Sequence, residues 1–260
     1  MSRNMIYCFS GSGNCLDIAK NIAKVLGDTD IVMMRKFPAV TDAGKAERVG
    51  FVFPCYAGGL PGNVEQYVKA VNISPEAYRF GVVSYSGYPG VGLRKIHDAV
   101  RLDYWAGISH HCSAIWLFPH QLMMPSLPVG KAQSRSEKLA GIAGADILAK
   151  RKLDGKPKAF FLNTLEAKAW PKLSKKKAES LTVTDACISC GRCEKLCPAG
   201  NITLTDGKPQ FGISCIGCLS CLQYCPAEAI NMGGATLKRE RYHNIHIPAE
   251  DLMEPVIHID

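Results

Sequence analysis

The chain has 260 residues, of which 47% are hydrophobic and 21% charged, with a formal net charge of +8. That balance excludes a disordered chain, and no apolar stretch approaches the roughly 18 residues a membrane-spanning helix needs. The opening Met1-Ser2-Arg3-Asn4 lacks the apolar core and cleavage site of a secretory signal, so no membrane partner and a cytoplasmic location are expected.

From residue 4 to about 150, strand and helix patterns alternate. The apolar run Met5–Phe9 reads as a strand buried on both faces of a parallel sheet. Ser10-Gly11-Ser12-Gly13-Asn14 makes a tight turn, and helical periodicity follows, with Leu16, Ala19, Ala23 and Leu26 on one stripe. Gly27 is the expected stop. Further strands are expected at Ile31–Met34, Val49–Phe53, Phe80–Ser84 and Ile108–Ile115. Helices are expected at Asn63–Val71, Gly90–Arg101 and about Lys131 to Lys152. The order predicts an α/β, doubly wound domain with a parallel five-stranded sheet, which binds ligands at the carboxyl ends of its strands.

The loops at those ends carry the candidate binding residues. Ser10–Asn14 offers hydroxyls and glycine-freed backbone N–H groups at a helix N-terminus, a setting suited to phosphate. Leu16 stands where a dinucleotide fingerprint needs its third glycine, and no lysine completes a nucleotide triphosphate loop. Pro54-Cys55-Tyr56-Ala57-Gly58-Gly59 and Ser84-Tyr85-Ser86-Gly87-Tyr88 add flexible backbone and aromatics beside that cradle. Plain loop packing is the ordinary alternative for Tyr56, Tyr85 and Tyr88. Cys8 and Cys112 read as small buried hydrophobes, and Cys55 as a candidate reactive thiol. His110 and His111 alternate in direction on an extended chain, which disfavours a shared metal.

Between residues 150 and 180 the chain holds ten Lys or Arg against three acidic residues. A solvated helix face or linker, partly packed through Phe160-Phe161-Leu162 and Trp170-Pro171, is the ordinary reading of such a run, and a docking surface for an acidic redox partner is the sharper one.

Eight of the 12 cysteines fall between residues 187 and 225. They form two runs, Cys187-x2-Cys190-x2-Cys193-x3-Cys197-Pro198 and Cys215-x2-Cys218-x2-Cys221-x3-Cys225-Pro226. Offset by 28 residues, the two segments match at 8 of 16 positions, the mark of an internal duplication. Two-residue gaps let three thiolates reach three corners of a cubane, and the fourth Cys of each run crosses to the other cluster. Cys187, Cys190, Cys193 and Cys225 are thus expected around one 4Fe–4S cluster, and Cys197, Cys215, Cys218 and Cys221 around a second. Ile188, Ile202, Ile216 and Ile230 recur at equivalent places as apolar cover. Paired zinc knuckles are the alternative, although zinc sites usually separate two CxxC units by a longer loop. Two such clusters would bring the net charge from +8 to about +4, and a phosphate bound at the Ser10–Asn14 loop would lower it by roughly 2 more. A nucleic-acid partner is not expected.

The cysteine runs resemble bacterial two-cluster ferredoxins over about residues 181–233. The strand–SGSGN–helix unit and Tyr56-Ala57-Gly58-Gly59-Leu60-Pro61 resemble the phosphate loop and second flavin loop of flavodoxins. Together, and with the ending Arg241-Tyr242-His243-Asn244, nearly the whole chain resembles the flavodoxin–ferredoxin fusions called ferrodoxins. The resemblance implies FMN bound by Ser10, Gly11, Ser12, Gly13, Asn14 and Cys15, with Pro54, Tyr56, Ala57, Gly58, Gly59, Ser84, Tyr85, Ser86 and Gly87 around it. Ser12 and Cys15 stand where that family has threonine and a hydroxyl residue, and Met124-Pro125-Ser126-Leu127 lacks its asparagine. The expected layout is a flavodoxin-like domain over 1–165, a basic linker over 166–180, a small α+β two-cluster ferredoxin domain over 181–235 and a tail over 236–260. The expected function is electron transfer between two 4Fe–4S clusters and FMN, linking one-electron and two-electron redox partners. Reduction of a small substrate at the flavin is the alternative, and a redox sensor a third reading. Donor, acceptor and oligomeric state are left open.

Overall fold

The computed structural model describes residues 2–35, 42–110 and 128–260. Strands β1 (Asn4–Cys8), β2 (Thr29–Met33), β3 (Arg48–Pro54), β4 (Tyr78–Tyr85) and β5 (Tyr104–Ser109) run parallel. Their order, β2-β1-β3-β4-β5, is that of a flavodoxin-like doubly wound sheet.

Period-two alternation sends Met5, Tyr7 and Phe9 to one face of the sheet and Ile6 and Cys8 to the other. Helices α1 (Asn14–Leu26) and α4 (Val129–Leu148) cover the Ile6 face. Helices α2 (Gly62–Ala70) and α3 (Gly92–Val100) cover the Tyr7 face. Both faces being covered explains why the strands read as near-continuous apolar runs. At the centre, the ring of Phe80 lies 2.0 Å from where a Cβ on Gly50 would stand, so only glycine seats it.

Two expectations need correction. The sheet has six strands rather than five, because β10 (Val256–Ile259) adds antiparallel to β2. The tail thus returns to the first domain, and His258 pairs with Asp30 at 2.8 Å. The fifth strand begins at Tyr104, upstream of Ile108, since Tyr104–Ser109 is the stretch in register with β4. The stretch read as a solvated helix face or linker is helical as far as Ala178, in helix α5 (Phe161–Ala178), whose inner face carries buried Trp170, Ser174 and Ala178. Cys112, His111 and Met124–Leu127 lie outside the described residues.

The cysteine-rich part is a small α+β unit. Strands β6 (Leu181–Val183) and β9 (Ile230–Met232) pair antiparallel, as do β7 (Ile202–Thr205) and β8 (Lys208–Phe211). Helices α6 (Arg192–Leu196) and α7 (Ser220–Gln223) each begin inside a cysteine run.

Candidate functional site: two thiol cavities and the Ser10–Asn14 loop

The sequence duplication is repeated in the backbone. Left-handed φ values occur at Ser189 (56°) and Gly217 (69°), at Gly191 (72°) and Leu219 (62°), and at Gly200 (60°) and Glu228 (47°). Each pair is separated by the same 28 residues as the aligned runs. The crossing cysteines repeat a contact too: Asn201 N–H donates to Cys197 Sγ at 3.2 Å, and Ala229 N–H to Cys225 Sγ at 3.3 Å.

These turns gather the eight thiols into two groups. Cys187, Cys190, Cys193 and Cys225 line one pocket that Ile188 and Ile230 also wall. Cys197, Cys215, Cys218 and Cys221 line a second, with Ile202 and Ile216. Among the described residues, no three His, Cys, Asp or Glu side chains converge closely enough to hold a single ion. As free thiols, burial pushes Cys193 and Cys215 upward and Cys218 up to about 12. Metal binding has to drive their deprotonation.

The second cavity abuts the Ser10–Asn14 loop. Ser220 Oγ donates to Gly11 O at 2.9 Å, and the Cys218 carbonyl oxygen lies 2.4 Å from where a Gly11 Cβ would stand. A Gly13 Cβ would lie 2.7 Å from Tyr224 Oη and 2.9 Å from Asn244 Cβ. The outer faces of both glycines are therefore clamped by the cysteine unit and the tail. Asn244 N–H donates to Ser12 O at 2.8 Å, and Tyr242 Oη donates to Asn14 Oδ1 at 2.8 Å. Asn244 Nδ2 reaches Gln133 Oε1 at 3.0 Å, and Gln133 Nε2 reaches Asp17 Oδ2 at 2.7 Å. Burial raises the Asp17 carboxyl above its usual range.

The candidate flavin residues share one edge. Ser10–Cys15 follows β1, Pro54–Gly59 ends and follows β3, and Ser84–Gly87 ends and follows β4, three neighbouring strands. Two observations fit a bound phosphate and ring. Ser10 Oγ and Ser86 Oγ are buried without a protein partner, and helix α1 starts at Gly13 (φ 93°) with no side-chain cap. Buried hydroxyls beside a helix N-terminus that no side chain caps are a donor set that suits a phosphate. Other candidates are engaged by the protein itself. Tyr56 lies edge-on to Phe9 at 6.1 Å and tilted to Trp170 at 6.2 Å, and Gly58 and Gly59 face Asn163 and Ala167 of α5. Tyr85 packs partly buried at the edge of the Tyr7-face core.

Cys8 is fully buried, as expected. Burial pushes the Cys55 thiol up to about 12, so it is not a ready nucleophile. Burial likewise raises the Cys15 thiol, which lies against Ser84. His110 is buried with Nε2 3.1 Å from Gln133 Oε1. Sequence reading missed Trp170, Ser220, Tyr242 and Asn244 as parts of this site. Only the Arg241–Asn244 ending carried a signal, as part of the resemblance.

Residues 186–230 match the family described as a 4Fe-4S dicluster domain, which supports cluster binding by this part of the chain. No curated protein matches the chain. Solved structures similar to it include an FMN-dependent NADH-azoreductase from Bacillus anthracis str. Ames Ancestor in complex with FMN, 8% identical, TM-score 0.38, over 56% of this chain and 99% of that one. Flavodoxin 1 from Bacillus cereus is 12% identical, TM-score 0.40, over 56% and 97%. An NAD(P)H:quinone oxidoreductase from Methanothermobacter marburgensis is 11% identical, TM-score 0.37, over 56% and 100%. Likenesses this weak carry no argument about chemistry. No helix among the described residues is long and apolar enough to cross a membrane. The chain thus joins an α/β sheet of flavodoxin-like strand order to a 4Fe–4S-binding unit.

Proposed function

We propose that this is an electron-transfer flavo-iron-sulfur protein with two 4Fe–4S clusters and one FMN. The observation that carries the reading is the grouping of the eight thiols into two apolar cavities, one of them pressed against the Ser10–Asn14 loop. Cys187, Cys190, Cys193 and Cys225 would hold one cluster, and Cys197, Cys215, Cys218 and Cys221 the other. A 4Fe–4S cluster exchanges one electron at a time, whereas FMN exchanges one or two, so their union links one-electron and two-electron partners.

The protein's own residues supply position and dryness. Ser10, Ser12 and the backbone from Gly11 to Cys15 would hold the flavin phosphate, with Ser84–Gly87 and Pro54–Gly59 beside the ring. Ile202, Ile216 and Ile230 would exclude water from the thiolates, which lowers a cluster's potential, whereas Ile188 is exposed. Ser220 and Asn244 fix the cysteine unit on the loop through Gly11 O and Ser12 O. The functional division is then an FMN domain over 1–165, a joining helical segment over 166–180, a two-cluster unit over 181–235 and a tail that clamps the two together. Exposed Lys168, Lys172, Lys175 and Lys176 on α5 suit an acidic redox protein in the cytoplasm.

The test is an anaerobic spectroelectrochemical titration of the chain reconstituted with iron, sulfide and FMN. Flavin and cluster bands that bleach in a single chain support the reading. A chain that takes up iron but retains no flavin removes the flavin from it.

A further inference from the structure

The two cavities differ in the charge around them. Arg35, at the carboxyl end of β2, reaches across to the cysteine unit. Its Nη2 donates to the carbonyl of Lys195, two residues before Cys197, and its Nη1 donates to the carbonyl of Leu252. It is half-buried, and among the described residues no carboxylate faces it. The Lys195 contact sets its charge beside the second cavity, where Cys197 and Cys218, once thiolates, act on it most strongly.

The first cavity also has arginines nearby, but each is offset. Arg241, beside Cys225, has Glu228 Oε2 at 4.0 Å from its Nε. Arg192, in the cavity wall, has Glu250 at 3.4 Å. A fixed positive charge in a low-dielectric setting favours the more negative, reduced state of whatever it faces, and favours the nearer site most.

We propose that Arg35 sets the order of reduction within the chain, making the Cys197–Cys215–Cys218–Cys221 site, beside the Ser10–Asn14 loop, the first to accept an electron. The inference rests on the two-cluster reading. It assigns the N-terminal domain a role in tuning a cluster whose ligands all lie elsewhere in the chain. Arg35 acts here as a positioning charge and touches no reacting atom.

The test uses the full chain with both sites loaded, titrated reductively and followed by electron paramagnetic resonance, after iron analysis. Iron for only one cluster would end the two-cluster reading itself, whatever Arg35 does. With full iron, Arg35→Gln is expected to lower the first-reduced cluster relative to the other by on the order of tenfold in electron partition, about 59 mV for a one-electron couple. Arg35→Lys, which keeps the charge, retains the gap. An unchanged gap in Arg35→Gln, or an equal shift of both clusters, overturns the proposal. Should Arg35→Gln lose iron, Glu228→Gln decides. It unmasks Arg241 beside the first cavity from an exposed position, and is expected to narrow the gap. An unchanged or wider gap overturns the proposal.

Discussion

The sheet domain and the cysteine unit reach order by different routes. In the sheet, Ile6, Tyr7, Phe51, Phe53 and Phe80 are completely buried, and four helices of 9 to 20 residues cover the two faces. In the cysteine unit the strands have 3 or 4 residues and the helices 4 or 5. Its buried apolar set is small, centred on Leu219, Leu222, Ile230 and Met232 with Trp170, while Ile188 and Ile213 stay exposed. A unit this small cannot be ordered by hydrocarbon burial alone and depends on what its ligands bind. Stability and cofactor loading are therefore one property in the second half and separate properties in the first.

The strongest way to break that comparison is to remove iron with a chelator. The cysteine unit should lose its order and expose the Ser10–Asn14 loop, while the sheet domain keeps a cooperative melt. Circular dichroism and hydrogen exchange read the two halves apart. Equal protection of residues 186–230 with and without iron would break the contrast.

A paired substitution sharpens it. Phe80→Ala empties the space beside Gly50 and should cost the sheet about 3–5 kcal/mol in denaturant unfolding, with iron content unchanged. Cys197→Ser should do the reverse, reducing bound iron by about half with little change in the sheet's midpoint.

Gly13→Ala probes the seam between the halves. At φ 93° an alanine is strained, and its Cβ would meet Tyr224 and Asn244. The expected loss is about 1–3 kcal/mol, seen as faster exchange at 242–247 before any change in the sheet.

The smallest expected effect is a pH dependence confined to the sheet domain. His97 is buried, its Nδ1 lacks a partner, and its ring meets Trp105 edge-on at 5.5 Å. Burial holds its pKa below the ordinary value of about 6.5. The unfolded chain then takes up the proton first, so His97's contribution is complete above that value. It is lost as pH falls from about 6.5 through the lower folded-state value. Urea midpoints at neutral and mildly acidic pH should converge for His97→Gln relative to the parent chain, and parallel curves would contradict this.

What the sequence made legible follows the range of each interaction. The cysteine groups could be read because spacing within each run is local, and the 28-residue repeat displays the partner run in the same chain. The central strands could be read because burial on both faces makes them continuous apolar runs. β5 was displaced in reading because Trp105-Ala106-Gly107 breaks the alternation and left Ile108 as the visible signal. β10 has no such signal: Val256-Ile257-His258-Ile259 is short, and its partner β2 lies at the other end of the chain. The Ser220–Gly11 and Asn244–Ser12 contacts depend on how two distant segments meet, and no local pattern encodes them. Helix α5 could be read only as a helix face or linker with some packing at Trp170, because its lysines outnumber the few residues of its buried face.

The central claim is that both four-thiol cavities hold a 4Fe–4S cluster, one of them beside the loop proposed to take a flavin phosphate. Its most direct test is the stoichiometry of iron, acid-labile sulfide and released flavin in anaerobically purified protein. The expected result is about eight irons and eight sulfides per chain with one FMN. About four irons, or zinc in place of iron, would contradict it.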